Sequence, residues 1–255
     1  MGGEKTRWRC LCAYDGTDYA GWQSQITGRA IQDVIEEALA EIVGSKTRIH
    51  GSGRTDAGVH AKGQVFHFDA YWMHGGEALR KSIASRLSDD IQILDAKPAP
   101  SSFHARGSAK GKRYVYRAFE GVAPPMEGRY RASLPSLPYD VEAMQLAAKA
   151  LLGEHDFRSF GASLGCSSSE NPVKNLWRLD VRRRGKRWKI SVEGSGFLYK
   201  MVRGLSGALF DVGRGRLQAT QIKEILKERK RTGQVVTAPA NGLCLEKVFY
   251  RGVPS

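Results

Sequence analysis

Apolar residues at Ile31, Val34, Ile35, Ala38, Leu39 and Ile42 recur at helical spacing and predict an amphipathic helix. Before it, Trp8 to Tyr14 reads as a strand closed by the polar turn Asp15-Gly16-Thr17-Asp18. After it come a short strand at Arg48 to Ser52, a glycine-rich polar loop from Gly53 to Gly63, and the alternating strand Val65-Phe66-His67-Phe68. A second helix runs through Leu79, Ile83 and Leu87. Strand Ile91 to Ala96 then leads through Phe103-His104-Ala105-Arg106 to the aromatic strand Arg113 to Phe119. Further on, the pattern predicts a helix from Val141 to Leu152 and a Ser/Gly-rich loop around 161–171. Two strands then meet about Gly185, where Trp177, Leu179, Val181 and Trp188, Ile190, Val192 alternate with charged residues. A long helix from Leu198 to Val212, a shorter one near Thr220 to Lys227, and a last strand Leu243 to Tyr250 complete the series.

Residues 121–138 hold four prolines and two arginines, the composition of a connector rather than a packed element. The expected organisation is an N-terminal half over 1–120, a connector over 121–138 and a C-terminal half over 139–255. Strands and helices interleave without strict alternation. The expected class is α+β, with a mixed, mainly antiparallel sheet, helices on one face, and two similar halves around a cleft.

Composition adds a partner class. The 255 residues contain 40 Lys+Arg against 26 Asp+Glu, a net charge of +14, and such an excess favours polyanions because neutralised phosphates release counterions. Nucleic acid is therefore the leading partner. No apolar stretch approaches the roughly 18 residues of a membrane helix, and the N-terminus lacks a signal-peptide core, so a soluble, cytoplasmic protein with no membrane partner is expected. A Met-Gly-x-x-x-Thr myristoylation pattern at Gly2 and Thr6 leaves almost no free arm before the first strand. Cys10, Cys12, Cys166 and Cys244 form no Cys-x-x-Cys pair and read as buried, reduced thiols.

Several chemistries lack their hardware. The six histidines form no metal-ligand motif, and His67, between Phe66 and Phe68, reads as a surface or satisfied core histidine. Gly51-x-Gly53 is followed by Asp56 where a dinucleotide loop needs glycine, Gly107 to Arg113 misses the Walker spacing, and Gly204-Leu205-Ser206-Gly207 misses the nucleophile elbow.

What remains is Gly51-Ser52-Gly53-Arg54-Thr55-Asp56-Ala57-Gly58-Val59-His60 with Gly63-Gln64, a carboxylate near an arginine among glycines that let backbones come close. On the loop alone Asp56 is either a turn-capping residue with Arg54 as surface ion pair, or a nucleophile or base held ionised by a guanidinium. Arg203 lies off the predicted helix's core stripe with Tyr199, Ser206 and Phe210. It either snorkels over Tyr199 or partners a buried carboxylate. Tyr114 and Tyr116 share one face of their strand, flanked by Arg113 and Arg117, a mixture that packs a core or stacks splayed RNA bases. The runs Arg182 to Arg187 and Lys227 to Arg231 are solvated tips or phosphate contacts.

Taken in order, the motifs resemble the TruA family of tRNA pseudouridine synthases nearly end to end. They are Tyr14-Asp15-Gly16, Gly21-Trp22-Gln23, the Gly53 to His60 loop with Gly63-Gln64-Val65, and Phe103-His104-Ala105-Arg106 before Arg113-Tyr114-x-Tyr116. Leu151 to Phe157, Phe197 to Arg203, and Ala238-Pro239-x-x-Gly242-Leu243-x-Leu245 continue the series. The segments Ile83 to Ile91 and Asn171 to Lys174 depart from the usual form. The resemblance implies a pseudouridine synthase fold with a basic cleft, Asp56 as the catalytic aspartate, and Tyr114 as the ring against the target uracil. Arg203 becomes the carboxylate's partner, Arg54 a residue holding the flipped nucleotide, and Arg106, Lys112 and Arg113 contacts to RNA. It further implies action at uridines 38, 39 and 40 of the tRNA anticodon arm, a homodimer, RNA rather than DNA as partner, and neither metal nor organic cofactor.

The chemistry suits these residues. Isomerisation breaks the N1 to C1′ bond, turns the uracil while bound, and joins C5 to C1′, consuming no outside group. A carboxylate can add to C6 or act at the sugar, and one suffices on either route. The alternatives are a catalytically silent RNA-binding module on the same scaffold and a metal-dependent phosphate-transfer enzyme using the glycine loop.

Overall fold

In the computed structural model, residues 5–26, 29–162 and 171–251 are described. The elements in chain order begin with β1 (Thr6–Tyr14), α1 (Ile31–Val43), β2 (His50–Gly51), β3 (His60–Ala70), α2 (Gly75–Ala84) and β4 (Ile91–Pro98). They continue with β5 (Gly111–Glu120), α3 (Pro125–Gly128), β6 (Ala132–Leu134), α4 (Val141–Lys149), β7 (Gly153–Asp156), β8 (Val173–Arg184) and β9 (Arg187–Gly194). The last are α5 (Met201–Gly213), α6 (Gln221–Glu228) and β10 (Leu243–Phe249). The chain divides into two compact units, one of residues 1–110 with 245–255 and one of 111–244.

In the first unit the strands run β4-β1-β3-β10, with β2 beside β3. β1 pairs antiparallel with β3, Cys10 opposite Phe66, and with β4, Cys10 opposite Ala96. The predicted apolar face of α1 is buried through Ile31, Val34, Ile35, Ala38 and Leu39. Gly44 ends that helix in the left-handed region (φ 70°), its amide donating to Ala40 O at 3.0 Å, a stop that a Cβ would strain. Cys10 and Cys12 are buried thiols whose pKa values burial pushes up. Cys244 is buried too, and Cys166 lies outside the described residues.

In the second unit the strands run β5-β9-β8-β7, antiparallel throughout, with β6 parallel to β5. The sheets are thus mixed and mainly antiparallel. Tyr116, Trp188, Ile190 and Val181 are buried, and Trp188 meets Phe210 of α5 edge-on at 5.9 Å. Asp140 caps α4, its carboxylate accepting from the Ala143 amide at 2.8 Å. α5 is buried on nearly every side, where the sequence predicted a core stripe with Arg203, Ser206 and Phe210 off it. It also starts at Met201 rather than Leu198, after Lys200 in the left-handed region (φ 57°).

Residues 121–138 are more than a bare connector. They carry α3 and β6, Ala132 sits opposite Ala118 of β5, and Asn241 Nδ2 donates to Gly128 O (2.9 Å) and Arg131 O (3.1 Å). Proline content obscured this, because backbone pairing and an amide clamp leave no apolar period to read.

Candidate active site

The loop from Gly53 to Val59 joins β2 to β3 and is tied at each end. The Ser52 amide donates to Val65 O (2.7 Å) and its hydroxyl to Gln64 Oε1 (2.6 Å), while Gln64 Nε2 donates to Gly53 O (2.9 Å). Ser52 and Gln64 are fully buried, so breaking this pair would leave unpaired polar atoms in the core. At Thr55 the carbonyl accepts from the Trp22 amide (3.1 Å) and the hydroxyl shares a hydrogen with Tyr14 Oη (2.9 Å). A turn closes from the Val59 amide to Asp56 O (3.1 Å) over Gly58, φ 75°. Asp56 itself is half-buried.

Glycine opens the space for this loop. A Cβ on Gly16 would lie 2.0 Å from Val59 O, and one on Gly21 (φ 94°) 2.5 Å from Thr55 O and 3.0 Å from Asp56 C. The segment from Asp15 to Trp22 therefore lies flat against the backbone that carries Asp56. The Gly16 amide donates to His60 Nδ1 at 3.1 Å. Beneath, the Trp22 ring packs, tilted, against Tyr14 (6.0 Å) and Phe66 (6.1 Å). Gly16, Gly21, Ser52, Gln64 and His60 were not singled out from the sequence as site residues. Their signal was present as polar and glycine positions inside the motifs of the first half.

Of the other expected site residues, Arg54 is exposed in the same loop, its Nε donating to Gln23 Oε1 at 3.2 Å. Arg106 is exposed on a turn fixed from below, where the Ala105 amide donates to His67 Nδ1 (3.1 Å) and the Arg106 and Gly107 amides to His104 Nδ1 (3.2 and 3.1 Å). Tyr250 Oη donates to Ala105 O at 2.7 Å, and the Arg9 guanidinium lies 4.8 Å over the Tyr250 ring. His67 is a buried, satisfied histidine. Burial first, then the nearby His104, His50 and Arg7, push its pKa down to about 4.

Tyr114, Lys112, Arg113 and Arg203 belong to the second unit. Tyr114 is buried and meets Phe197 edge-on at 5.2 Å. Arg113 reaches Glu193, a carboxylate only 3% exposed, at 2.8 Å, and the Trp177 indole N–H donates to the same carboxylate at 3.3 Å. Lys112, opposite Gly194, is half-buried. Arg203 is half-buried, its Nε donating to Ala238 O at 2.7 Å while Ala238 N donates back to Arg203 O at 3.1 Å. Burial raises the Tyr116 phenol's pKa and the Arg203 charge opposes the shift, which sets the two near each other. At the end of the Lys227 to Arg231 run, Arg231 turns inward and donates to Phe160 O, Val235 O and Thr237 Oγ1 at 2.7–3.0 Å. Among the described residues no group of three or more His, Cys, Asp and Glu is placed to hold a metal ion. Nor is any helix long and apolar enough to cross a membrane.

The fixed loop that carries Asp56 is a candidate carboxylate-dependent active site, and comparison with known proteins gives the class of the chain. A family model described as tRNA pseudouridine synthase matches residues 11–106 and 147–251, and the chain belongs to that family of isomerases. It is 40% identical to the tRNA pseudouridine synthase A of Acetivibrio thermocellus over 242 residues, 95% of this chain and 98% of that one. It is 41% identical to the protein of the same name from Brevibacillus brevis over 250 residues, 96% and 99% of the two chains. Among solved structures it is similar to "Crystal Structure of a Cbf5-Nop10-Gar1 Complex" with a TM-score of 0.34 and 11% identity. That likeness covers 93% of this chain and 56% of the other, and is too slight to support any inference.

Proposed function

We propose that the chain isomerises uridines 38, 39 and 40 in the tRNA anticodon arm, with the Asp56 carboxylate as nucleophile. The observation that carries this reading is the fixed loop. Asp56 sits on backbone held by the Trp22 and Val59 amides, beside a Thr55 hydroxyl paired with the Tyr14 phenol and with Gly16 and Gly21 against the loop. Such pre-organisation supports a residue that must meet a reacting atom at a set distance. A solvated capping aspartate would need none of it.

The target base leaves its stack at a cost of a few kcal/mol, offset in part by the Tyr114 ring. Arg54 holds the extruded nucleotide, Arg203 is the partner of the carboxylate, and Arg106, Lys112 and Arg113 serve the RNA around it. The carboxylate adds to C6, or acts at the sugar so that the base departs, and any bond it forms is broken again before release, which restores the free carboxylate. The N1 to C1′ bond breaks, the uracil turns, and C5 bonds to C1′. The C5 hydrogen leaves as a proton and N1 gains one, so atoms and electrons balance with no co-reactant. The enzyme works as a cytoplasmic homodimer.

Incubating the protein with an unmodified tRNA transcript and mapping carbodiimide adducts tests this. Stops at positions 38 to 40 are expected. Adducts confined to another arm would refute the position assignment, and their absence would favour a silent RNA-binding module.

A further inference from the structure

The second unit carries cations in two states. Arg178 is neutralised by Asp180, Arg183 by Glu120, and Arg187 by Glu127. Arg182, Arg184, Lys186 and Lys189 are exposed, and among the described residues none of them has an acidic partner. The register then sets like charges face to face. Lys189 is the Cα partner of Arg182 on β8, and two residues further on Arg184 stands opposite Arg187, whose charge Glu127 already meets.

Side chains alternate along each strand. Arg182 and Arg184 therefore leave one face of the sheet together with Lys189 and Arg187, while Val181, Trp188 and Ile190 are buried on the other. With strands about 4.8 Å apart, Lys189 and Arg182 stand side by side, and Arg184 follows two residues further along β8. Directly opposed like charges on neighbouring strands destabilise a sheet, and an extended anion laid along Arg182, Arg184 and Lys189 relieves that repulsion. The tip offers no apolar anchor for a bilayer or a protein partner, since the one aromatic between Arg182 and Lys189, Trp188, is 1% exposed. A groove of about 710 Å³, lined by Val141, Gln145, Val181, Arg182, Arg183 and Gly185, opens beside the same tip. Arg182 and Arg184 bring guanidinium groups, whose planar fork matches phosphate oxygens.

We infer that the row formed by Arg182, Arg184 and Lys189 on the β8–β9 hairpin is a phosphate-binding surface that takes the sugar-phosphate backbone of the RNA. The inference rests on the reading of the chain as a tRNA-modifying enzyme, and it adds a contact surface to the residues assigned around the target nucleotide. Contacts of this kind hold and orient the RNA without reading its sequence.

The test is the salt dependence of binding to an unmodified full-length tRNA transcript. It compares the wild-type protein with a triple variant, Arg182→Ser, Arg184→Ser and Lys189→Ser, and with its conservative counterpart, Arg182→Lys and Arg184→Lys. The serine variant should bind at least about tenfold more weakly at low salt. Its slope of log Kd against log salt should fall by about two, since each phosphate that the protein no longer neutralises removes roughly 0.7–0.9 from the slope. The lysine variant should keep the wild-type slope. The urea midpoint of the serine variant should match or exceed the wild type's, because repulsion between the opposed cations is relieved. An unchanged slope in the folded serine variant overturns the proposal, as does a change in sedimentation with no change in slope, which would mark an interface between copies. Tritium release by the wild-type protein from tRNA labelled at uridine C5 is measured alongside. If it is absent while the slope still falls, the phosphate surface stands and the isomerase reading fails.

Discussion

Among single residues, the proposed chemistry turns on how tightly Asp56 is placed. A Cβ on Gly21 would collide with Thr55 O and press on Asp56 C. Gly21→Ala should therefore lower kcat by about 10²-fold, the cost of a misplacement near 1 Å, with far less change in the affinity for tRNA; steady-state kinetics would read the split. Tyr114 is predicted to act through its ring. Tyr114→Leu should lose much more turnover than Tyr114→Phe, and equal losses would count against stacking. His67 supplies a pH test. Its pKa is pushed from an ordinary 6.5 down to about 4 in the folded chain, so the unfolded chain takes up its proton first as pH falls. The stability contributed by the neutral ring is complete above about 6.5 and is lost between there and about 4, at most about 3 kcal/mol. His67→Gln keeps an acceptor for the Ala105 amide without titrating, and its urea midpoint should vary less with pH over that window. The loop of Asp56 stood out because an aspartate among glycines and an arginine is an unusual local pattern, but the pattern alone left a turn-capping role open, and only the family resemblance made Asp56 the expected catalytic residue. The partner of Arg113 was not, because Glu193 lies 80 residues away and only strand register brings the two together.

For the elements, periodicity reported faces better than boundaries. α1 follows its i, i+3, i+4 pattern, and β8 and β9 keep the alternation that set Leu179 and Val181 against Val192 and Ile190. β3 begins at His60 rather than Val65, because Ala61 pairs with Tyr14 and a glycine at 63 lets the chain pass close to Glu246, where a Cβ would lie 2.5 Å from its carbonyl. Glycines there read as loop although they serve a strand. β7 was missed altogether, since Gly153-Glu154-His155-Asp156 has no apolar alternation and owes its conformation to pairing with β8. α5 shows the same limit in three dimensions. Gly204 and Gly207 admit the backbones of Phe160 and Val236, with Cβ approaches of 2.3 and 2.0 Å. In an exposed helix Gly→Ala stabilises by about 1 kcal/mol; here Gly207→Ala should instead destabilise by about 1–3 kcal/mol, readable as a lower urea midpoint.

Over the whole molecule, the net charge of +14 is partly consumed within the fold and partly left for RNA. Arg231 shows the first use, holding three oxygens of its own chain, and the second is the use inferred for Arg182 and Lys189. Charge alone predicted the partner class but could not sort these cations, because the sorting depends on which carboxylates fold beside them. Affinity for tRNA should accordingly fall steeply with salt while turnover of bound tRNA changes little. A salt-insensitive KM would contradict that division. Whether the Asp56 carboxylate does the chemistry is read by tritium release from tRNA labelled at uridine C5, set beside tRNA binding by the same preparations. Release by the wild-type protein, and none by Asp56→Asn at undiminished affinity, is the expected result; undiminished release by Asp56→Asn would contradict the assignment.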